Sequence, residues 1–371
     1  MRILIISHAY AIPIWLEKIQ EISKDPSLEI SVLTPKVFWD SNRKSVTYPC
    51  KKKSYNLLTG NVVFPKRVTG HFYVQGLKKA IREVNPDIIH LEEEPWSNVA
   101  AQIHLIKKIY FLKFKLIVFS WENLDLNLRK IYNITENYTL RNADLFIAGG
   151  QTSKDRLIRR GARPELIKIL PQFGLDPELF RLPSENERNN TFTIAYIGRI
   201  MHLKGVDLAL KAFQNLKGKW KAIIVGSGNM KDEILQLTKE LSLGGKIEFI
   251  DWVDHYDIPL YMRKAHVLVV PSRTTPNWAE QFSHPLIEAM SSGTVPIGSD
   301  SGEIPYVIGK EGLIFQEDNH IQLQNAIQKL MDNPQLLEEL SIAGRKKVLT
   351  QYSWKCIAEK TIEFYREVYA P

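Results

Sequence analysis

Short runs of continuous apolar residues recur along this chain, and a stretch of helical pattern follows each one. In the first half they read as strands near 3–7, 29–34, 87–91, 115–120, 144–148 and 167–170. In the second half they fall near 193–198, 221–226, 246–250, 266–271, 295–298 and 312–315. A strand that is apolar at nearly every position has no face for water. Its sheet must be covered on both sides, and helices that cover it in this way connect parallel strands. About six such units in each half of 371 residues predict an α/β protein made of two doubly wound, Rossmann-like parallel-sheet domains. The stretch 171–190 is rich in Pro, Asn and charge and reads as the break between them. This gives a first domain over 1–180 and a second over 190–353. Residues 40–75 are weakly patterned and read as a loop-rich excursion. The segment from 354 to about 369 reads as an amphipathic helix.

Composition narrows the function classes. The 44% hydrophobic and 24% charged fractions are those of an ordinary soluble globular protein. No run approaches the roughly 20 apolar residues of a membrane helix, and residues 3–6 are too short for a signal-peptide core. Cys50 and Cys356 form neither a disulfide framework nor a metal pattern, so a cytoplasmic, reducing setting is expected. In such a setting the sequons at Asn133, Asn137 and Asn189 are chance matches.

The formal net charge is +8, and the excess lies in residues 1–180, with 27 Lys and Arg against 18 Asp and Glu. An anionic partner for that half is expected. There is no zinc spacing, RNA-binding signature or recognition helix, so nucleic acid is not expected. An anionic membrane surface or an anionic acceptor fits better. The basic residues include Lys51–Lys53, Lys66 and Arg67. Between Lys107-Lys108 and Lys115, cations interleave with aromatic and aliphatic residues in a way that suits a membrane interface.

The chemistry-bearing residues gather at the carboxyl ends of predicted strands, where open α/β sheets bind ligands. In Glu280-Gln-Phe-Ser-His-Pro-Leu-Ile-Glu288 two carboxylates stand eight positions apart after a strand. Pro285 suits the first helical position, Ser283 or His284 the cap, and Glu288 the first turn of a helix that stops at Gly293. Upstream, Arg199 and Lys204 in Gly198-Arg-Ile-Met-His-Leu-Lys204-Gly205 follow another strand. Two cations and two carboxylates in one crevice suit a ligand with an anionic diphosphate and a neutral polyol.

Gly226-Ser-Gly228 permits a tight turn. It is not a dinucleotide fingerprint, because Lys231 stands where a third glycine would be. In the first half, Glu92, Glu93 and Glu94 end a strand together. Like charges so placed predict a raised pKa or a cationic partner for one of them. No Asp-x-Asp triplet and no His/Cys/Asp cluster is present, so no metal or other cofactor is expected.

Taken in order, Gly198-Arg199 with Lys204-Gly205, Val225-Gly-Ser-Gly228, Pro271-Ser272, the Glu280/Glu288 pair, Glu288-Ala-Met-x-x-Gly293 and Ser301-Gly-Glu-Ile304 resemble the retaining glycosyltransferases of the family 4 (group 1) type. These motifs cover most of 190–310. The resemblance implies the GT-B fold, with two Rossmann-like domains facing across a cleft and a C-terminal helix, 354–371, crossing back onto the first. It implies metal-independent transfer of a sugar, of the hexosyl type, from a nucleotide-diphosphate donor to an acceptor hydroxyl, in synthesis of surface polysaccharide, glycolipid or a related glycoconjugate. The acceptor would be lipid-linked, a glycan or a small molecule, and the protein would be cytoplasmic or peripheral at the membrane's inner face.

By the same resemblance Arg199 and Lys204 meet the diphosphate, and Glu280 meets the donor sugar near the anomeric centre. Glu288 meets the ribose hydroxyls. Phe282 and Ser283 offer backbone amides, and Gly302 in the Ser301–Ile304 stretch offers another. Gly198, Gly226 and Gly228 border the nucleotide, with Trp252 and Val253 beside the base. Ser283 stands where relatives usually have glycine. Where many relatives have a histidine beside Glu-Pro, this chain has Glu93. Glu93 or Glu94 is expected to accept the acceptor's proton or orient its hydroxyl, with His8 and Glu122 as further acceptor-side candidates. Two other readings are a nucleotide-sugar epimerase of the same fold and a non-catalytic nucleotide-sugar-binding protein.

Overall fold

The computed structural model describes residues 1–40, 43–51, 54–185, 187–188 and 190–370. Lys52, Lys53 and the sequon residue Asn189 lie outside the described residues. The chain divides into two compact units, Met1–Gly174 with Trp354–Pro371, and Leu175–Ser353.

The first unit is built on a nine-stranded sheet. Its parallel part runs in the spatial order Ile167–Ile169, Leu145–Ala148, Lys115–Ser120, Ile88–Leu91, Arg2–Ile6, Glu29–Pro35 and Tyr55–Val63. Both faces are buried, as continuous apolar strands require. Ile3 and Ile5 face one core with Leu16, Ile19 and Tyr365, while Leu4 and Ile6 face the other with Ile81, Val99 and Ile103. The helix Trp354–Tyr369 belongs to this unit and packs its apolar stripe of Ile357, Ile362 and Tyr365 into the first of these cores.

The second unit holds a six-stranded sheet, parallel at every pairing. Its order is Ile247–Ile250, Trp220–Val225, Phe192–Ile197, Val267–Val270, Val295–Ser299 and Leu313–Phe315. In each unit the strand order reverses between the first and fourth parallel strands. Loops leaving neighbouring strands at that point diverge to opposite faces and open a crevice at the carboxyl ends.

All twelve expected strands are present, each within a residue or two of its predicted bounds. The excursion over 40–75 is corrected. It contains the nine-residue strand Tyr55–Val63, which pairs in parallel with Glu29–Pro35, and the short strands Cys50–Lys51 and Phe72–Gln75, which pair antiparallel with it. Asn56, Thr59, Gly60 and Asn61 interrupt its apolar pattern, and it is buried only at Tyr55, Leu57 and Gly60. Cys50 is exposed and Cys356 partly so, and neither is in a disulfide.

Candidate functional site

In the second unit the reversal lies between Phe192–Ile197 and Val267–Val270, and the loops after these strands carry the predicted residues. Tyr196 Oη donates to Arg199 O at 2.8 Å and closes the Gly198-Arg199 turn. Arg199 is exposed. A one-turn helix, His202–Lys204, then brings Lys204 back under the sheet's edge. There Lys204 Nζ donates to Glu280 Oε2 at 2.6 Å, and Ser272 Oγ donates to the same oxygen at 2.8 Å. Lys204 also stands 4.9 Å above the Trp278 ring. Glu280 is 6% exposed, so its charge is met inside the protein rather than by bulk water.

Sequence reasoning missed the residue that holds this turn in place. Arg273, 7% exposed, clamps Asp207 through two 2.8 Å bonds and donates to His202 O at 2.8 Å. Its backbone N–H reaches Leu203 O at 2.9 Å. The fork geometry of a guanidinium makes both contacts at once. A bare Ser-Arg-Thr after a strand carries no signal that would have found it.

Two glycines let the loops interlock. At Gly226 a Cβ would come within 1.9 Å of Gly198 O. At Gly302, which has φ +51°, one would come within 2.1 Å of Glu280 O. Ile200 N–H bonds to Ser227 O and Glu303 N–H to Glu280 O. The amides of Glu303 and Ile304 are therefore engaged within the protein, as is that of Gly226 through Ile250 O. The expectation that Ser301–Ile304 offers its amides to a ligand is corrected for these two. Gly228 is also packed tightly, against Ile200 O.

The helix His284–Ser291 starts one residue earlier than expected, and Pro285 occupies its second position. Glu288 consequently falls in the second turn, not the first. It is 6% exposed, His255 Nδ1 stands 3.9 Å from its Oε1, and burial raises its carboxyl to about 8. The cap Ser283 makes no side-chain capping bond. It takes φ +65°, ψ +81°, a conformation that glycine adopts without strain. Serine therefore preserves the turn that a glycine would make, at a cost of about 1–2 kcal/mol. The Phe282 ring is buried against His284 and Tyr352, so only its backbone can face a ligand.

Trp252 is 54% exposed and is not a core residue. With Gly198, Arg199, Gly226 and Val253 it lines a hollow of about 220 Å³ at the carboxyl ends of the strands. A hollow of about 320 Å³ beside Thr193, Lys221 and Lys246 lies at the strands' opposite ends, away from these residues.

In the first unit the three carboxylates have three different environments. Glu92 is buried with Lys18, whose Nζ donates at 2.5 Å, and Tyr10 Oη and Gln172 Nε2 also donate to it, at 2.6 and 3.0 Å. Burial opposes its charge, but Lys18 and His90 outweigh burial and hold its pKa below the ordinary value. Glu94 accepts from Ser120 Oγ at 2.6 Å and from the Trp121 and Glu122 amides, tying two strand ends together. Burial raises its pKa to about 7, assisted by the charge of Glu122. Glu122 itself caps its own loop through the Asn123 and Leu124 amides. Glu94 and Glu122 thus serve the loop, and the expectation that either faces an acceptor is not supported by their contacts.

Glu93 differs from both. One of its oxygens accepts from His8 at the reversal of the sheet, with His71 beside it. His71 was missed in the sequence because it comes from the irregular stretch before Phe72–Gln75.

Among the described residues, no group of three or more His, Cys, Asp or Glu is placed to hold a metal ion. No helix among them is long and apolar enough to cross a membrane.

The family model for glycosyl transferases group 1 matches residues 180–347. The MMP alpha-(1->4)-mannosyltransferase of Mycolicibacterium hassiacum is 26% identical over 233 residues, 61% of this chain and 54% of that protein. The chain spans about half the length of the curated relatives it matches. Anabaena HepE, solved with UDP, superposes with a TM-score of 0.74 at 17% identity, covering 99% of this chain and 100% of that one. A sucrose-phosphate synthase from Thermosynechococcus elongatus gives 0.76 at 19% identity, covering 99% and 98%. At these identities the likeness to solved structures is one of fold.

Proposed function

We propose that this chain, whose residues 180–347 match the family model for glycosyl transferases group 1 and whose units have the Rossmann-like fold of GT-B structures, moves a hexosyl group from a nucleotide-diphosphate sugar to an acceptor hydroxyl with retention. The observation that carries this reading is the part-buried Lys204–Glu280 pair, with the exposed Arg199 on the same loop as Lys204, at the carboxyl ends of the strands. Negative charge grows on the departing diphosphate as the glycosidic bond breaks. Cations fixed there stabilise it without a proton and, in this reading, without a metal. Glu280 lies where a sugar hydroxyl can displace or share the ammonium. Trp252 and Val253 wall the hollow that a base would enter, and Glu288 meets the ribose.

In this reading the second unit holds the donor and the first presents the acceptor. HepE has been solved with UDP and with UDP-glucose, and a uridine donor is the first to test here. A panel of nucleotide sugars screened by thermal unfolding decides the matter. A donor at 100 times its dissociation constant should stabilise the protein by about 2.7 kcal/mol. No shift with any nucleoside diphosphate or its sugar would overturn the proposal. Release of free nucleotide only when an acceptor is added would separate transfer from epimerisation.

The acceptor is proposed to be lipid-linked, with the protein working at the inner face of a membrane. The helix Asn98–Ile109 ends in Ile109, Tyr110 and Phe111, which are 54, 46 and 88% exposed. Lys78, whose Nζ donates to Tyr110 Oη, and the exposed Lys108 and Lys113 surround them. Lys107 is turned inward over the Phe114 ring. Apolar tips ringed by cations suit an anionic bilayer surface.

A further inference from the structure

In the second unit the stretch after Ile247–Ile250 runs past the hollow that Trp252 helps to wall. Val253 and Ile258 also line that hollow, and His255 lies between them in the chain. Asp254 caps the one-turn helix His255–Asp257, its side chain accepting from the Tyr256 N–H at 3.2 Å, which fixes where the His255 side chain starts. The His255 ring packs 5.6 Å from that of Phe180. Phe180 is 1% exposed, and its carbonyl accepts from Ser291 Oγ and from Arg345, both at 2.8 Å. Ser291 is the last residue of the helix His284–Ser291, so Phe180 ties the His255 ring to the helix that carries Glu288.

Glu288 is 6% exposed, and among the described residues no donor hydrogen-bonds to its carboxyl, so burial alone sets its pKa. A carboxyl buried only for stability would have a donor in reach. Its Oε1 instead faces His255 Nδ1 across 3.9 Å. That gap is too long for the two groups to bond to each other. It is short enough for one hydroxyl to bridge, because an oxygen about 2.8 Å from each atom closes the triangle. A hydroxyl has one proton and two lone pairs, so it can donate to one group and accept from the other. The His255 side chain is 38% exposed and that of Glu288 8%, so the gap opens on the His255 side. Burial pushes the Glu288 carboxyl up to about 8 and lowers the His255 ring from its ordinary value against the pull of Asp254, so at neutral pH the two do not form an ion pair.

We propose that His255 is a second hydroxyl-binding residue of the donor site, sharing one ribose hydroxyl with Glu288, and that the pair selects ribonucleotides over deoxyribonucleotides. The proposal rests on the reading of this unit as the donor site with Glu288 at the ribose. A base in the hollow bounded by Val253 and Ile258 carries its ribose toward the residue between them. A nucleotide that lacks the shared hydroxyl leaves the Glu288 carboxyl covered and unsatisfied, and that loss is the source of the selection.

The test is calorimetry with UDP, GDP and ADP and with the 2′-deoxy and 3′-deoxy forms of whichever binds. In the wild type, removal of the shared hydroxyl should weaken binding about tenfold. His255→Phe keeps a ring against Phe180 but has no nitrogen. In that variant the same removal should cost only about threefold, because Glu288 alone still holds the hydroxyl. His255→Asn, which carries an amide near the place of Nδ1, should keep a ratio closer to the wild type. A merely structural role for His255 would weaken ribose and deoxyribose forms alike and leave their ratio unmoved. An unchanged ratio in His255→Phe, or a wild type that binds both deoxy forms as tightly as the parent, would overturn the proposal. Failure of all three nucleoside diphosphates to bind the wild type would instead overturn the donor reading beneath it.

Discussion

Lys204 Nζ lies 2.6 Å from Glu280 Oε2, so the cation proposed for the diphosphate and the carboxylate proposed for the sugar neutralise each other. Each is held ready by the other at the strand ends. Lys204→Ala should lower turnover on the order of 10²–10³-fold at saturating donor. It should also destabilise the second unit by about 1–3 kcal/mol, below the range for a fully buried pair because the Lys204 end is partly open. Glu280→Gln in the same background should restore most of the stability and none of the turnover. Urea unfolding and rate measurements on the wild type and the two variants check this, and unchanged turnover in Lys204→Ala would refute the assignment.

Glu280 and Glu288 are expected to divide their roles. Glu280→Gln should reduce transfer more than nucleotide affinity, and Glu288→Ala the reverse. Glu288 adds a pH signature. Its folded pKa of about 8 exceeds the ordinary 4.5, so between those values the folded protein binds a proton that the unfolded chain does not. Stability from this group is full below about pH 4.5 and is lost as pH rises through 8, by at most about 1.4 kcal/mol per pH unit. Unfolding midpoints from pH 5 to 9 should show that decline in the wild type and a flatter profile in Glu288→Gln. Parallel profiles would show that the carboxyl is not held protonated.

Lys18 and Glu92 are the first unit's deepest ion pair, with side chains 2% and 0% exposed. Lys18→Met should leave the Glu92 charge buried beside Tyr10, Gln172 and His90 without its ammonium partner and cost about 3–5 kcal/mol. Lys18→Met with Glu92→Gln should recover much of that loss. Chemical unfolding followed by a first-unit probe such as Trp121 fluorescence measures both. Equal stability of the single variant and the wild type would mean that Glu92 is neutral in the fold.

Vesicle sedimentation tests the membrane surface. Binding to anionic vesicles at low salt should weaken as salt rises, since each Lys or Arg near the bilayer contributes roughly 1 kcal/mol that is screened within about a Debye length. Neutralising Lys78, Lys108 and Lys113 should reduce it, and so should Phe111→Ser. Equal sedimentation with neutral and anionic vesicles would rule the surface out.

The parallel sheets were legible because strands such as 267–270 are apolar at every position and admit no solvent face. Arg199, Lys204, Glu280 and Glu288 were legible because each follows a strand, and strand ends in such sheets meet at one edge. What escaped the sequence depends on chain return. Tyr55–Val63 is buried only at Tyr55, Leu57 and Gly60, so it lacks the continuous apolar run that marks the other strands. His71 enters from an unpatterned loop, and its meaning comes only from the Glu93 oxygen 3.7 Å away. The three adjacent glutamates were rightly read as needing partners. Their separate fates turn on neighbours distant in the chain, among them Lys18, Trp121 and Gln172, which stand 74, 27 and 80 residues away.

The close seating of Gly226 on Gly198 O and of Gly302 on Glu280 O has a consequence for how donor preference can diverge. Four loops meet with no room for a methyl group at those two points, and Arg273 and Lys204 bind two of them again. A loop transplanted singly from a related protein would arrive out of register with three neighbours. New sugar or base preference is therefore open to substitution at outward side chains such as Trp252, while the loops themselves can be inherited only as a set.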